Sequence, residues 1–158
     1  MSTRLHHELP YDADPATVSA MMRDATFREH VCAALKVVRA TVTAKDDVVT
    51  IEQTQASKGV PSFARKFVGD EITIVHTETW RSPTAADVVV AIPGKPGEAR
   101  GTTVIMSTGA GSTVIVDLDI KVGLPLVGGK IEGLIRDLLL KALQRENTTG
   151  RTWLLDEH

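Results

Sequence analysis

The chain has 158 residues, a formal net charge of −2 and one cysteine, Cys32, and this length predicts a single domain that spans residues 1–158. The near-zero charge gives no electrostatic basis for binding nucleic acid, and a lone cysteine excludes an internal disulfide or a cysteine-based zinc site. Residues 1–8 lack the apolar core of a signal peptide, and no stretch approaches the roughly 20 apolar residues of a membrane span, which predicts a cytoplasmic protein without integral membrane association.

The first elements of the chain are predicted to be a strand and two short helices. Residues 3–9 alternate between apolar and polar side chains, which is typical of a strand. Asp14 and Pro15 then have the pattern of an N-cap followed by the first helical position. Thr26 and Glu29 have the spacing of a capping box, which predicts that the second helix begins at Thr26.

Six further strand-like segments follow, and all but one of the connections between them are short. The segments are residues 36–44, 47–56, 71–80, 87–92, 99–107 and 112–122. Short turns join antiparallel neighbours, so together with the first strand these segments predict a seven-stranded meander. The one long connection, residues 57–69, has apolar residues at helical spacing, which predicts a short helix after Pro61.

Residues 124–153 predict one long amphipathic helix; Pro125, Gly128 and Gly129 mark its start, and Gly150 is a potential helix breaker near its end. A helix of about 25 residues is roughly 37 Å long, so an α+β fold in which it crosses one face of the sheet is predicted. Its apolar stripe, which we expect to form an entirely apolar wall against the sheet, includes Ile131, Leu134, Leu138 and Ala142. Its charged residues, which we expect to face water, are Lys130, Glu132, Arg136, Asp137, Lys141, Arg145 and Glu146.

Four local sequences accompany this order of elements: PSFARKFVGD at 61–70, TETW at 77–80, PGKP at 93–96 and PLVGGKIE at 125–132. Over about residues 3–155 the chain resembles the START-like or polyketide-cyclase (SRPBCC, Bet v 1-like) superfamily, and within it an actinobacterial domain family of unknown function. The resemblance implies the helix-grip fold, a seven-stranded curved antiparallel sheet around the C-terminal helix with a hydrophobic cavity between them. Members of the superfamily bind lipids, sterols, polyketides or hormones; some are cyclases or hydrolases, and some bind other proteins.

The strand faces indicate which residues line this cavity. If the threonines of segment 71–80 face water, His76 and Glu78 point at the cavity, and Gln53 and Gln55 do so by the same test. The cavity then has apolar walls with a few polar groups, as small-molecule sites usually do. The predicted ligand-binding residues are Gln53, Gln55, Phe63, Phe67, His76, Glu78, Trp80, Ile131, Leu134, Leu138 and Ala142.

His76 and Glu78 are the candidates for acid–base catalysis, since they share one strand face about 7 Å apart. Burial would raise the pKa of Glu78 unless the carboxylate is paired. The alternative interpretation is a satisfied structural network, and the lack of a fuller catalytic constellation favours a non-catalytic protein without a cofactor.

The histidines do not predict a metal site. His6 and His7 are adjacent on a strand, so their side chains leave opposite faces. His30 has Ala34 rather than a second ligand four residues on, and His158 is the last residue. These spacings do not supply the three or four ligands that a zinc site needs, so we expect no bound metal.

The long connection, residues 57–69, has two interpretations. It is either a connection pinned to the core by Phe63 and Phe67, or a lid over the cavity mouth. In the lid interpretation, an anionic ligand or membrane surface would meet its basic residues, Lys58, Arg65 and Lys66.

Three hypotheses for the function follow. The first is non-catalytic binding of a small hydrophobic molecule, lipid-like or polyketide-like, between the sheet and the long helix. The second is a cyclase or dehydratase that uses the same cavity with His76 and Glu78 as acid and base. The third is a protein-interaction module, which would expose an apolar patch near Phe63, Phe67 or Trp153. The sequence indicates no particular oligomeric state.

Overall fold

The computed structural model describes residues 2–58 and 60–156. Gly59, in the predicted connection 57–69, and His158, which we did not expect to bind a metal, lie outside the described residues. The order of strand, two short helices, six strands and long helix is the predicted one. The elements are β1 (Thr3–Tyr11), α1 (Pro15–Met22), α2 (Ala25–Ala34), β2 (Arg39–Lys45), β3 (Val48–Ala56), α3 (Ser62–Val68), β4 (Glu71–Ser82), β5 (Ala85–Ala91), β6 (Gly97–Ser107), β7 (Ser112–Val122) and α4 (Gly128–Leu155).

Within the described residues, seven strands form one curved antiparallel sheet in the order β1-β7-β6-β5-β4-β3-β2, which confirms the predicted fold class. Strands β2 to β7 form a meander, but β1 pairs with β7 rather than with β2. The prediction of a simple meander through all seven strands is therefore wrong, because α1 and α2 carry the chain from one edge of the sheet to the other. The first and last strands consequently lie side by side, and α4 packs against both.

Aspartate caps begin both short helices. The Asp14 carboxylate accepts a hydrogen bond from the Thr17 amide at 2.8 Å, as predicted for the start of α1. The predicted start of α2 is wrong, because Asp24 rather than Thr26 is its N-cap. The Asp24 carboxylate accepts from the amides of Thr26 at 2.8 Å and Phe27 at 3.4 Å, and thereby satisfies two of the four free amides of the first turn.

Strand β7 shows how alternation sets the buried face of the sheet. Its alternate apolar residues are all buried: Val114, Val116, Leu118, Ile120 and Val122. At Gly101 of the neighbouring strand β6, an added Cβ would lie 1.8 Å from the Asp117 carbonyl oxygen, so this close approach of two strands requires glycine. The buried face is the one that meets α4 and the short helices.

Helix α4 has 28 residues, which makes it about 42 Å long, and it continues beyond the predicted end at Trp153 to Leu155. Gly150 lies inside the helix and does not break it. Its lack of a side chain lets the buried Tyr11 ring pack against the helix, since an added Cβ would lie 2.6 Å from Tyr11 Cε1. In the described ranges, neither this helix nor any other is long and apolar enough to cross a membrane.

Two charged residues of α4 that were expected to face water are buried, Glu132 and Glu146. The Glu132 carboxylate accepts from the Thr3 hydroxyl at 2.8 Å and from the Val122 amide at 2.9 Å. It thereby ties the start of β1 and the end of β7 to the first turns of α4. Arg136, one turn further along α4, has Nη1 3.7 Å from Asp137 Oδ1.

Candidate functional site

A cavity of about 310 Å³, which we call the outer cavity, lies between the concave face of the sheet, α3 and α4. The sheet contributes β3, β4 and β5 side chains because alternate residues of each strand point to this face. Most lining residues are apolar, and the polar ones are Gln53, Gln55, Lys58, Asp137 and Lys141. Such an apolar wall with few polar groups is the usual composition of a small-molecule site.

A second cavity of about 70 Å³, the inner chamber, shares part of its wall with the outer cavity. The lining residues common to both are Gln53, Ile74, Val90, Leu139 and Ala142. The inner chamber differs in that its polar lining includes four buried or half-buried titratable side chains that contact one another: Arg28, His76, Glu78 and Glu146. We refer to these four residues as the charge network.

Three elements bring the charge network together. Helix α2 supplies Arg28, alternate positions of β4 supply His76 and Glu78, and α4 supplies Glu146. The Arg28 guanidinium donates to Glu78 through Nη2, and to Glu146 Oε1 through Nη1 at 3.2 Å. His76 Nε2 lies 2.7 Å from Glu78 Oε2, and Trp80 Nε1 donates to Glu78 Oε1 at 3.2 Å. Glu78 is therefore bonded on both oxygens.

The two carboxyl groups of the network have opposite pKa shifts. Burial raises the pKa of Glu78, but the charge of Arg28 and the hydrogen bond from His76 outweigh burial and hold that pKa at about 2. Burial also raises the pKa of Glu146, and there the charge of Arg28 offsets it only in part, so the net shift is upward. The expectation of a raised pKa at Glu78 applied to an unpaired carboxylate, and Arg28 pairs it.

The network leaves two polar atoms unsatisfied. Arg28 Nε and Glu146 Oε2 are buried and have no hydrogen-bond partner within the described ranges. Arg28 is only 1% exposed. Buried polar atoms without a partner are rare in folded proteins and cost free energy, so each calls for an explanation.

The charge network consists of one arginine, one histidine and two glutamates. Nowhere in residues 2–58 and 60–156 do three or more histidine, cysteine, aspartate or glutamate side chains form a group that would hold a metal ion. Because Glu78 is ionised, the His76 nitrogen that faces it carries the hydrogen. In that tautomer the other ring nitrogen, Nδ1, has the lone pair that can accept a hydrogen bond.

Comparison with known proteins assigns the family. Residues 6–154 match the family described as "Protein of unknown function (DUF2505)". The chain belongs to this family. A search among curated proteins gives no match to this DUF2505 chain.

Solved structures show the fold of the DUF2505 chain. This chain superposes on the crystal structure of TTHA0849 from Thermus thermophilus with a TM-score of 0.69 and 16% sequence identity. The match covers 98% of this chain and 100% of that one. For norcoclaurine synthase from Thalictrum flavum, in complex with dopamine and hydroxybenzaldehyde, the TM-score is 0.68 at 13% identity, covering 100% of this chain and 90% of that one. For the di-domain ARO/CYC StfQ from the steffimycin biosynthetic pathway it is 0.69 at 9% identity, covering 96% of this chain and 50% of that one. The chain has the START-like, Bet v 1-like fold.

Nine of the eleven predicted ligand-binding residues of the DUF2505 chain line a cavity, and two line neither. The outer cavity has Gln53, Gln55, Phe67, Ile131, Leu134, Leu138 and Ala142, and the inner chamber has Gln53, His76, Glu78 and Ala142. Phe63 is half-buried on the other side of α3, with Lys130 Nζ 5.8 Å from its ring centre. Trp80 is buried behind Glu78, so its ring packs in the core while its N–H bonds the carboxylate.

Arg28 and Glu146 are the site residues that the sequence analysis missed. Helical spacing could have found both, since Arg28 precedes Val31 by three residues and Glu146 follows Ala142 by four, which places each on an apolar face. The expectation that α4 forms an entirely apolar wall is therefore wrong. Glu146 lines the inner chamber, and Asp137 and Lys141 line the outer cavity.

The connection around α3 forms one wall of the outer cavity. Phe67 is buried against Val122 and Ile131, as expected of a pinned connection, and it also lines the cavity. At the base of this segment the Ser57 hydroxyl donates to the Gly69 carbonyl at 2.6 Å. The packing of Phe67 agrees with the pinned connection, and the lid interpretation stays a prediction.

Proposed function

We propose that this DUF2505 protein binds a small hydrophobic molecule, lipid-like or polyketide-like, in the outer cavity without transforming it. The observation that carries the proposal is the apolar cavity of about 310 Å³ between the sheet, α3 and α4. A volume of this size lies at the lower end of the range for small-molecule sites. Gln53 and Gln55 would orient the ligand, while the α4 residues Leu134 and Leu138 would contact its apolar body.

Two further points support the proposal. The structure of norcoclaurine synthase with dopamine and hydroxybenzaldehyde shows that this fold holds small organic molecules in another protein. In the present chain, the α3 segment closes one side of the outer cavity, and its exposed basic residues Arg65 and Lys66 lie beside the wall. We retain the cytoplasm as the proposed location and a small molecule as the proposed partner.

Substitution of Ala142, which lies at the junction of the two cavities, tests this function. We expect Ala142→Phe to weaken the binding of naphthalene, measured by isothermal titration calorimetry, by at least about tenfold, because the new ring fills the binding volume. Ala33→Phe on the exposed face of α2 is the matched control and should bind as wild type does. Equal binding by wild type and Ala142→Phe would reject the outer cavity as the site.

A second candidate function, a cyclase or dehydratase, is favoured by the 2.7 Å contact between His76 and Glu78 at the wall of the inner chamber. With Glu78 ionised and fully bonded, His76 would be the base and Glu78 the residue that orients it. His76→Ala and Glu78→Gln should then both abolish turnover of a cyclisable substrate. Turnover that survives both changes would leave this candidate without a mechanism.

The structure does not support the third hypothesis, a protein-interaction module. Its expected sign was an exposed apolar patch near three aromatic residues. Phe67 is buried, Phe63 is half-buried, and Trp153 packs edge-on against Phe27 at 5.5 Å and His30 at 5.3 Å between ring centres. We therefore do not propose this function.

A further inference from the structure

We infer that the inner chamber binds a hydroxyl group of the ligand and rejects a carboxylate. This inference rests on the proposed function, since the apolar body of the same ligand would occupy the outer cavity. It assigns a role to Arg28 and Glu146 that neither the fold nor the family supplies.

The first observation is the pair of unsatisfied atoms. Arg28 Nε carries a hydrogen and needs an acceptor, while Glu146 Oε2 has lone pairs and needs a donor. Both residues line the inner chamber. A hydroxyl group both donates and accepts, so it supplies the acceptor that Arg28 Nε lacks and the donor that Glu146 Oε2 lacks. This pairing applies to the ionised form of Glu146, in which Oε2 is an acceptor.

The second observation is the charge around the chamber. One guanidinium, that of Arg28, faces two carboxyl groups, and its Nη atoms are already bonded to Glu78 and Glu146. A ligand carboxylate would add a third acceptor and a further negative charge where no free cation remains among the network residues. A ligand ammonium group has no lone pair for Arg28 Nε, and an ether has no hydrogen for Glu146.

The third observation is the route between the cavities. Their shared wall includes Gln53 and the small side chain of Ala142, so the two volumes adjoin. Cys32 Sγ lies 3.7 Å from Gln53 Oε1 and fixes that amide at the junction. The inner chamber, at about 70 Å³, has room for the hydroxyl-bearing edge of a ring or for water. Water is therefore the competing occupant.

Four ligands that share one skeleton test the inference by calorimetry at pH 7: naphthalene, 2-naphthol, 2-methoxynaphthalene and 2-naphthoate. We expect 2-naphthol to bind about tenfold tighter than 2-methoxynaphthalene, the effect of one hydrogen bond to a charged group, and 2-naphthoate to bind most weakly. Equal affinities for 2-naphthol and 2-methoxynaphthalene would mean that water alone fills the chamber and would overturn the inference. Tightest binding of 2-naphthoate would also overturn it. Failure of all four ligands to bind would overturn the proposed function itself.

A matched pair of variants localises the preference. Glu146→Gln should strengthen 2-naphthoate binding at least about fivefold, because it removes the negative charge. It should also reduce the affinity of 2-naphthol relative to 2-methoxynaphthalene, because it replaces the carboxylate whose Oε2 is the free acceptor. Glu132→Gln is the control, since Glu132 is buried on the same helix but lines neither cavity. If the ratio of 2-naphthol to 2-naphthoate affinity is unchanged in Glu146→Gln, Glu146 does not set the preference for a hydroxyl group. An equal change in Glu132→Gln would also contradict the role of Glu146.

Discussion

Glu78 and Glu146 show how two residues of one type acquire different properties inside the same cluster. Glu78 accepts hydrogen bonds on both oxygens, from Arg28, His76 and Trp80, which keeps it ionised. Glu146 accepts one bond from Arg28, and its second oxygen is unsatisfied. Burial raises the pKa of both carboxyl groups; at Glu78 the charge of Arg28 and the bond from His76 outweigh it, whereas at Glu146 the charge of Arg28 does not, and the nearby charge of Glu78 raises the pKa further.

This difference predicts opposite effects of the same substitution. The Glu78 pKa is about 2 in the folded protein against an ordinary value of 4.5, so its stabilisation is present above pH 4.5 and is lost as the pH falls toward 2. Glu78→Gln should lower the free energy of unfolding at pH 7 by about 3 kcal/mol, and this deficit should shrink as the pH falls through that range.

Glu146 has a raised folded-state pKa, so its ionisation costs stability as the pH rises above the unfolded value. Glu146→Gln should therefore leave the free energy of unfolding at pH 7 unchanged or higher. Urea denaturation of both variants and wild type, at pH 7 and pH 3, measures the contrast. If Glu146→Gln lowers the free energy of unfolding at pH 7 as much as Glu78→Gln does, the two carboxyl groups do not have opposite pKa shifts.

Two glycines of α4 predict a second contrast. In Gly150→Ala the new methyl group would lie 2.6 Å from the Tyr11 ring, whereas a methyl group at Gly133 would meet no atom within 4 Å. Gly150→Ala should lower the free energy of unfolding by about 1–3 kcal/mol through overpacking. Gly133→Ala should raise it by up to about 1 kcal/mol through helix propensity. Thermal unfolding of both variants compares them, and a stabilised Gly150→Ala would be the contrary result.

At the scale of elements, the α3 segment is held at two points. Phe67 packs into the cluster of Val122 and Ile131, and Ser57 closes the base of the segment through its bonds to Gly69 and Asp70. The Gly69 backbone has a φ of 79°, a conformation that glycine adopts without strain and that turns the chain into β4. The Ser57 bonds and the packing of Phe67 thus position the segment that lines one side of the outer cavity.

Removing the Ser57 hydroxyl should loosen this wall. In Ser57→Ala we expect the amides of α3 to exchange hydrogen about tenfold faster than in wild type, because one buried hydrogen bond is lost. Ser62→Ala is the control, since Ser62 is exposed at the start of the same helix. Hydrogen exchange followed by mass spectrometry measures both. Unchanged α3 exchange in Ser57→Ala would show that Phe67 alone holds the segment.

At the scale of the whole molecule, Glu132 joins parts of the chain that are far apart in sequence. It bonds Thr3, which lies 129 residues away, and the end of β7 through Val122. The pairing of β1 with β7 places these three sites at one corner of the molecule. The structure therefore couples the first strand, the last strand and the C-terminal helix directly.

This coupling predicts that the chain unfolds as one cooperative domain. The transitions followed by tryptophan fluorescence and by far-ultraviolet circular dichroism should coincide in urea. Glu132→Ala should shift both midpoints together and lower the free energy of unfolding by about 1–3 kcal/mol, because buried donors lose their acceptor. Glu29→Ala, at an exposed position of α2, should shift neither. Separated transitions would contradict the single domain.

Local patterns determined the elements and their faces. The alternation in β7 and the helical spacing in α4 depend on residues a few positions apart, so the sequence by itself predicts the order of elements and the α+β class. The inward direction of Gln53 and Glu78 follows from the same two-residue period. Boundaries were less certain, as Asp24 shows at the start of α2.

The tertiary structure alone decided what the inward residues meet. Arg28 reaches Glu78 across 50 residues and Glu146 across 118, and no local pattern encodes which buried charges become partners. The same holds for β1, whose place beside β7 depends on the path of α1 and α2 around the sheet edge. Burial converts a charged residue from a solvated group into one that must find a partner, and the chosen partner then sets the pKa and the chemistry that the cavity offers.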